Sequence, residues 1–262
     1  MEISLQNKVA LVSGSTQGIG KAAAEILAKS GATVVLLARN EAKLKDVCSQ
    51  LDTSKGQKHD YLVADFSNPA GLQKVIRSWV SKGNHADILV NNTGGPKGGA
   101  IVDAPIEEFL SAFNQHLICN HILVQALLPK MKENRYGKII NVISTSVKQP
   151  LPQLGVSNTI RGAVGNWSKT LANELGPYNI TVNNVLPGAT NTERLKSIAA
   201  NKSTLSAESI EGIFSSMAQE SPMKRIAEPE EIAQAILFLA SPMSSYVNGI
   251  NIPVDGGRTK SL

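Results

Sequence analysis

Cysteine is scarce in this chain. There are two among 262 residues, Cys48 and Cys119, far apart. No C-x-x-C pair and no Cys/His run at ligand spacing occurs, which argues against a disulfide framework and a zinc ribbon and gives no reason to expect a metal. Reduced thiols point to the cytoplasm. The opening MEISLQNK has neither a basic stretch nor an apolar one, so no leader peptide is expected. Long hydrophobic runs are missing as well: 34–38 and 236–240 are strand- or helix-sized, far short of a bilayer span, and no membrane partner is expected. Runs of one charge sign are absent too. The 26 Lys+Arg against 21 Asp+Glu give +5, with Lys8, Lys21, Lys43, Lys55, Lys82 and Lys130 scattered, which speaks against nucleic acid as a partner. An anionic small molecule fits this mild excess, and so does no charged ligand at all. With 42% apolar and 18% charged residues the chain can bury a core, so disorder is excluded as its main state.

Short β-branched runs alternate with longer amphipathic stretches. Segment 8–13 reads as a strand, after which Ile19, Ala22, Ala23, Ile26 and Leu27 repeat at helical spacing and Ser30-Gly31 supplies a stop. The unbroken apolar run 33–38 is a strand covered on both faces. Helix 41–51, strand 60–64, helix 69–81 and strand 87–91 follow. One long helix is expected over roughly 106–133, kinked at Pro129. Segment 138–144 is a fifth strand. Ile160, Val164, Trp167, Leu171 and Leu175 mark the next helix, closed by Gly176-Pro177, and 180–186 is a sixth strand. Residues 189–227 are polar and Ser-rich, irregular with room for two short helices. Glu228-Pro229-Glu230-Glu231 opens the last helix, with proline in the first turn and acids at its positive end, and 250–254 is a seventh strand. Strict alternation implies an α/β architecture, a Rossmann-type doubly wound seven-stranded parallel sheet with helices on both faces. Its ligand crevice falls at the switch point between strands one and four. Nothing divides the composition, so residues 1–262 are read as one domain.

The turn after the first strand reads Ser13-Gly14-Ser15-Thr16-Gln17-Gly18-Ile19-Gly20. Gly14 lets the turn tighten. Gly18 and Gly20 let backbone N–H groups approach a diphosphate and let helix and strand pack closely. Between a strand and a helix this loop points to nucleotide binding, the alternative being a merely structural turn. Its spacing, G-x-x-x-G-x-G, resembles that of the short-chain dehydrogenase/reductase family, in its short single-domain branch. Asn91-Asn92-Thr93-Gly94 is similar to the family's N-N-A-G, with Thr93 in place of alanine. Asp65, followed by Phe66, is similar to its adenine-contacting acid. Pro187-Gly188 with Thr192 is similar to its nicotinamide motif P-G-x-x-x-T, and Val254-Asp255-Gly256-Gly257 to its V-D-G-G. The resemblance covers 7–257 and is nearest to the 3-oxoacyl-acyl-carrier-protein reductase-like branch. It implies a coenzyme site built from Gly14, Ser15, Thr16, Gln17, Gly18, Ile19, Gly20, Asp65, Phe66, Asn92, Thr93, Gly94, Pro187, Gly188 and Thr192. An acid commonly ends strand two where NAD is held. Here Ala38 is followed by Arg39, whose guanidinium suits a 2′-phosphate, so NADP(H) is favoured over NAD(H). Gln17 departs from the basic residue often found there in NADP-preferring relatives.

The resemblance implies hydride transfer between nicotinamide and a carbonyl or alcohol, assisted by serine, tyrosine, lysine and asparagine. Ser144 falls where the serine is expected. Thirteen residues on stands Ser157 rather than tyrosine, four further is Arg161 rather than lysine, and the asparagine position holds His116. No tyrosine lies between Tyr136 and Tyr178, so none is merely displaced. The expectation is an NADP(H)-dependent oxidoreductase with a changed proton path. His116 would supply or relay the proton, through water or Ser157, while Ser144 holds the carbonyl oxygen and Arg161 fixes the ribose. His116 as a satisfied helix histidine is the plainer alternative, and burial beside Arg161 would push it toward neutrality. A catalytically impaired nucleotide-binding protein with a regulatory or structural role is the alternative at the level of function. Residues 189–227 correspond to the family's substrate loop, a candidate lid carrying Arg194. Lys97 is either an attractor for an acidic substrate or a solvated loop residue. The resemblance further implies a homotetramer or homodimer formed through the helices near 106–133 and 157–176.

Overall fold

The computed structural model describes residues 3–206 and 209–261. Seven strands, β1 (Val9–Ser13), β2 (Thr33–Ala38), β3 (Asp60–Val63), β4 (Ile88–Asn91), β5 (Gly137–Val142), β6 (Ile180–Pro187) and β7 (Asn251–Val254), form one sheet in the order 3-2-1-4-5-6-7. Every pairing is parallel, and the order reverses between β1 and β4, as the alternation of elements predicts. Side chains alternate along each strand and so feed two cores. Ala10, Val12, Val34, Leu36, Ile88, Val90, Ile140 and Val142 meet the helices α1 (Gly18–Lys29), α2 (Glu41–Gln50) and α9 (Pro229–Ala240). Leu11, Val35, Leu37, Leu89, Ile139 and Val182 meet α3 (Pro69–Ser81), α5 (Cys119–Glu133) and α6 (Gly155–Leu175) on the opposite face.

Helix ends follow the local sequence. Asn40 and Asn68 cap α2 and α3 by accepting from the Lys43 and Gly71 backbone N–H groups, each at 3.0 Å. Glu228 and Glu231 form a reciprocal capping box at the start of α9, tied down by a two-point Arg225–Glu231 pair at 2.6 Å.

Three expectations need correction. The long helix over 106–133 is not one α-helix: α4 (Ile106–Phe113) passes into a π-turn at Asn114–Ile118 before α5, and α5 continues through Pro129 to Glu133. The fifth strand stops at Val142, so Ser144 stands on a short 3-10 turn (Thr145–Val147) rather than in the sheet. Residues 189–227 do carry two helices, α7 (Glu193–Ser206) and α8 (Ile210–Gln219), and are thereby more regular than their polarity suggests.

Four asparagines cross the sheet at matched register, Asn91, Asn141, Asn184 and Asn251 on β4 to β7. Asn91 donates to Asn141 (2.8 Å), Asn141 to Asn184 (3.0 Å) and to Ser168 Oγ (2.9 Å), and Asn184 to Asn251 (2.8 Å). Amides that would each be costly to bury alone pair with one another, Asn91 Oδ1 alone being left without a partner, and they tie β4 to β7 together.

Candidate active site

The glycine loop closes the C-terminal end of β1. Gly14 and Gly18 have φ of +59° and +52°, a region costly for any residue with a Cβ. A Cβ on Gly14 would stand 2.5 Å from the Asn92 carbonyl oxygen, and one on Gly20 would collide with the Gly14 carbonyl. Asn92 braces this close approach: its Nδ2 donates to the carbonyls of Ser13 (3.4 Å) and Gly14 (3.3 Å), and its backbone N–H donates to Ser13 Oγ (2.9 Å). Ser15 is fully buried and accepts from the Leu37 N–H at 3.1 Å, so its side chain holds β2 to the loop.

A cleft of about 730 Å³ runs along the C-terminal edge of the sheet at the switch point. Its wall includes Gly14, Thr16, Gln17, Gly18 and Ile19 of the loop, Arg39, Asp65 and Phe66 at one end, and Asn92, Thr93 and Gly94 in the middle. Ser144, Ser157, Arg161, Pro187, Gly188 and Thr192 line the other end. Thus most residues singled out in the sequence converge on one cavity. Ser15, Gly20 and His116 do not line it: the first two act from behind the loop, and His116 lines a smaller cavity with Pro96 and Lys97 while its ring meets the hydroxyl of Thr93, a residue of the cleft wall. A glycine cradle with no room for a Cβ, facing an elongated cleft, suits a dinucleotide diphosphate.

At the far end of β2 the cleft is edged by Arg39 and by Lys43, a residue the sequence reading passed over because it lies a turn into α2. Asp65 is held below the usual carboxylate range, chiefly by the Ser67 backbone N–H, with the Ser67 hydroxyl and Arg39 adding to it. At the opposite end, Ser144 Oγ accepts from the Ser146 N–H at 3.1 Å, which leaves its own proton to donate. Ser157 sits half-buried in the first turn of α6. Arg161 is buried and donates to the carbonyls of Val142 (3.1 Å) and Thr93 (3.3 Å), closing the ends of β5 and β4. Burial, and then the charge of Arg194, bring its pKa down to about 10, so it remains a cation at neutral pH. His116, on the π-turn, is 1% exposed and its Nδ1 meets the Thr93 hydroxyl. Burial holds its pKa well below that of free histidine, and Arg161 and Arg194 push the same way, so the ring is neutral at physiological pH.

Residues 14–259 match the family model described as enoyl-(acyl carrier protein) reductase. The chain belongs to the short-chain dehydrogenase/reductase family. It is 32% identical to the 3-oxoacyl-[acyl-carrier-protein] reductase FabG of Aquifex aeolicus (strain VF5), over 98% of this chain and 99% of that one. It is 30% identical to the NADPH-dependent reductase BacG of Bacillus subtilis (strain 168), over 98% of this chain and all of that one. Its fold superposes on the L-sorbose reductase of Gluconobacter frateurii, solved with NADPH and L-sorbose, with a TM-score of 0.92 at 34% identity and full coverage of both chains.

Within this short-chain dehydrogenase/reductase fold, two features were missed in sequence. The pairing of Thr93 with His116 spans 23 residues and depends on the π-turn. Arg194 reaches back from α7 to the Pro96 carbonyl, and no local pattern announces that. No helix among the described residues is long and apolar enough to cross a membrane. Among the described residues no cluster of His, Cys, Asp or Glu could hold a metal ion.

Proposed function

We propose that this chain is an NADP(H)-dependent oxidoreductase that interconverts a small-molecule carbonyl and its alcohol, with Ser144, Ser157, Arg161, Thr93 and His116 as its working set. The observation that carries the reading is the single cleft running from the glycine loop to the Ser144 hydroxyl, edged by Arg39 and Lys43 and by no acid at the end of β2. Similarity to NADPH-dependent reductases supports the same coenzyme. Gly14, Thr16, Gln17, Gly18 and Ile19 hold the diphosphate, Asp65 and Phe66 the adenine, and Pro187, Gly188 and Thr192 the nicotinamide end. When bound, the coenzyme supplies the hydride to the carbonyl carbon, or takes it in the reverse direction.

This chain's residues must then hold the carbonyl and bring a proton to its oxygen. Ser144 donates to that oxygen. Arg161 sets ribose and adds positive potential where the oxyanion develops. An aliphatic hydroxyl is a weak acid, and neutral His116 is no imidazolium donor. The proton therefore comes from solvent at the small cavity that His116 lines and is relayed, the ring taking up one proton as it gives up another, through Thr93 and then Ser157 or water to the oxygen. The free thiols Cys48 and Cys119 support a cytoplasmic setting. An apolar row on α4, Ile106 and Leu110 with Phe113, stands 72%, 59% and 39% exposed and supports association of copies as a homodimer or homotetramer, which light scattering checks.

The test is a fluorescence titration with NADPH and NADH, followed by a panel of carbonyl compounds monitored by NADPH oxidation. Tighter NADPH binding and turnover of at least one carbonyl are expected. Failure to bind either coenzyme overturns the reading. Tight binding without turnover in either direction replaces it with a nucleotide-binding protein.

A further inference from the structure

Two guanidinium groups meet at the catalytic end of the cleft with no carboxylate between them. Arg161 is 7% exposed and donates to two backbone carbonyls. Arg194, in the first turn of α7, lies over Gly95, where a Cβ would stand 3.0 Å from its Nη2, and donates to the Pro96 carbonyl. Both line the cleft. Among the described residues, neither has an acid within ion-pair distance. The acids that share the cleft wall are engaged elsewhere: Glu193 with Lys196, Glu220 with Arg258, and Asp65 at the opposite end near Arg39. His116, close enough to feel both arginines, contributes no negative charge.

Buried cations normally face a counter-charge, because carbonyl dipoles replace only part of the hydration they lose. A guanidinium has five N–H donors, and the bonds to backbone carbonyls use two on Arg161 and one on Arg194. The remaining donors suit a planar oxyanion bound from outside. The coenzyme's phosphates have other partners in the proposed function, the glycine loop for the diphosphate and Arg39 with Lys43 for the 2′-phosphate. Arg194 instead stands beyond Thr93, at Gly95 and Pro96. A second cavity of about 770 Å³, edged by Lys97 and also by Asp103 and Glu108, adjoins the cleft and shares Lys202, Met217 and Glu220 with it.

We propose that Arg194, backed by the charge of Arg161, binds a carboxylate on the substrate, so that the substrates are oxo acids and the corresponding hydroxy acids. The inference rests on the proposed function for its chemistry, but the anion site itself is separable from turnover. Calorimetric titration of the full chain with acetoacetate and 3-oxohexanoate, and with their methyl esters, is run with and without NADPH. NADPH affinity is measured in parallel by fluorescence. At least one free acid is expected to bind tenfold or more tighter than its ester, with affinity falling as salt rises. Arg194→Met should erase the preference and leave NADPH affinity within about twofold, whereas Arg194→Lys, which keeps the charge and the fold, should lose only part of it. Acid and ester binding alike, neither binding, or Arg194→Met weakening NADPH rather than the acid would each overturn the assignment. The last result would make Arg194 a diphosphate partner. NADPH failing to bind the wild-type chain would remove the reductase reading, while a preference for the acid in the absence of coenzyme would still establish the anion site.

Discussion

The Thr93 hydroxyl and the His116 ring occupy positions where the family resemblance leads one to expect alanine and asparagine, and each change makes sense through the other. The hydroxyl gives the buried ring a partner, and the ring gives that hydroxyl an orientation at the cleft wall. Thr93→Ala and His116→Gln are therefore expected to lower kcat by a similar factor, on the order of a hundredfold for a lost proton path, with the double variant little worse than either single one. Steady-state kinetics on the three variants checks this, and additive losses would separate the two residues. The same ring makes stability depend on pH. Its folded pKa lies well below the ordinary 6.5, so below about pH 6.5 the unfolded chain binds the extra proton first and stability falls with acidification. Thermal melts should show His116→Gln losing less stability than wild type between pH 7.5 and 5.5. At the other end of the cleft, Arg39 was legible from the missing acid after β2, whereas Lys43 needed the first turn of α2 to bring it alongside. Charge-assisted bonds to phosphate are worth roughly 2 kcal/mol. Replacing Arg39 and Lys43 together with serine should weaken NADPH by at least about thirtyfold and leave NADH nearly unchanged, as read by fluorescence titration.

Among the elements, β-strands and their order could be read from the chain because their apolar alternation is local and their crossovers have one hand. The π-turn could not. One extra residue in a turn alters backbone hydrogen bonding without changing the hydrophobic pattern on either side, so 106–133 reads as one continuous helix. The step is what points His116 at Thr93. Ser144 was found by spacing, yet its release from the sheet onto a 3-10 turn follows from Ser144 Oγ accepting the Ser146 N–H, a side-chain choice that periodicity does not record. The asparagine ladder was equally hidden, since each amide looks out of place in an apolar strand until its neighbours in register are known. Asn141 is its centre, fully buried and bonded to Asn91, Asn184 and Ser168. Asn141→Leu strands two buried amide groups, on Asn91 and Asn184, at roughly 1–3 kcal/mol each before relaxation, while the Ser168 hydroxyl keeps its bond to the Val164 carbonyl. A net loss of about 3 kcal/mol, or about 6–12 °C in melting temperature for a chain of this size, is expected by calorimetry. Catalytic activity should fall as well, since the ladder sets the spacing of β4 and β5, which lead into Asn92 and Ser144.

For the whole molecule, the two cores against the sheet and the small core beneath α7 and α8 are different in kind. Leu195, Ala199, Ile213 and Met217 pack with Ala189, Ile198, Phe214 and Ile226, and with none of the sheet's core residues. The hairpin of helices is thus built to hold its own shape while resting on the rim of the cleft. At its root, Asn191 N–H donates to the Ala227 carbonyl at 2.8 Å, and Ala227 N–H to the Ala189 carbonyl at 2.9 Å. Thr192 reaches over the glycine loop, where a Cβ on Gly18 would come within 3.0 Å of its methyl group, and Arg194 reaches the Pro96 carbonyl from the same hairpin. A few contacts to the surrounding loops, the Glu220–Arg258 pair and the Ser221 bond to the Gly256 carbonyl among them, against a small separate core, mean that its opening costs far less than unfolding the sheet. A ligand seated between the glycine loop and Thr192 would bridge both sides and shift that equilibrium toward the closed form. Hydrogen exchange should therefore slow at the amides of 193–206 and 210–219 when NADPH is added, while the amides of β1, β4, β5 and β6 exchange slowly with or without it. An oxo acid added on top of NADPH should deepen the protection in wild type and fail to do so in Arg194→Met, because only the wild-type side chain ties the substrate to the hairpin. Uniform protection across the sheet and the hairpin, or none in either, would mean that the hairpin moves with the sheet as one body and that access to the cleft is controlled elsewhere.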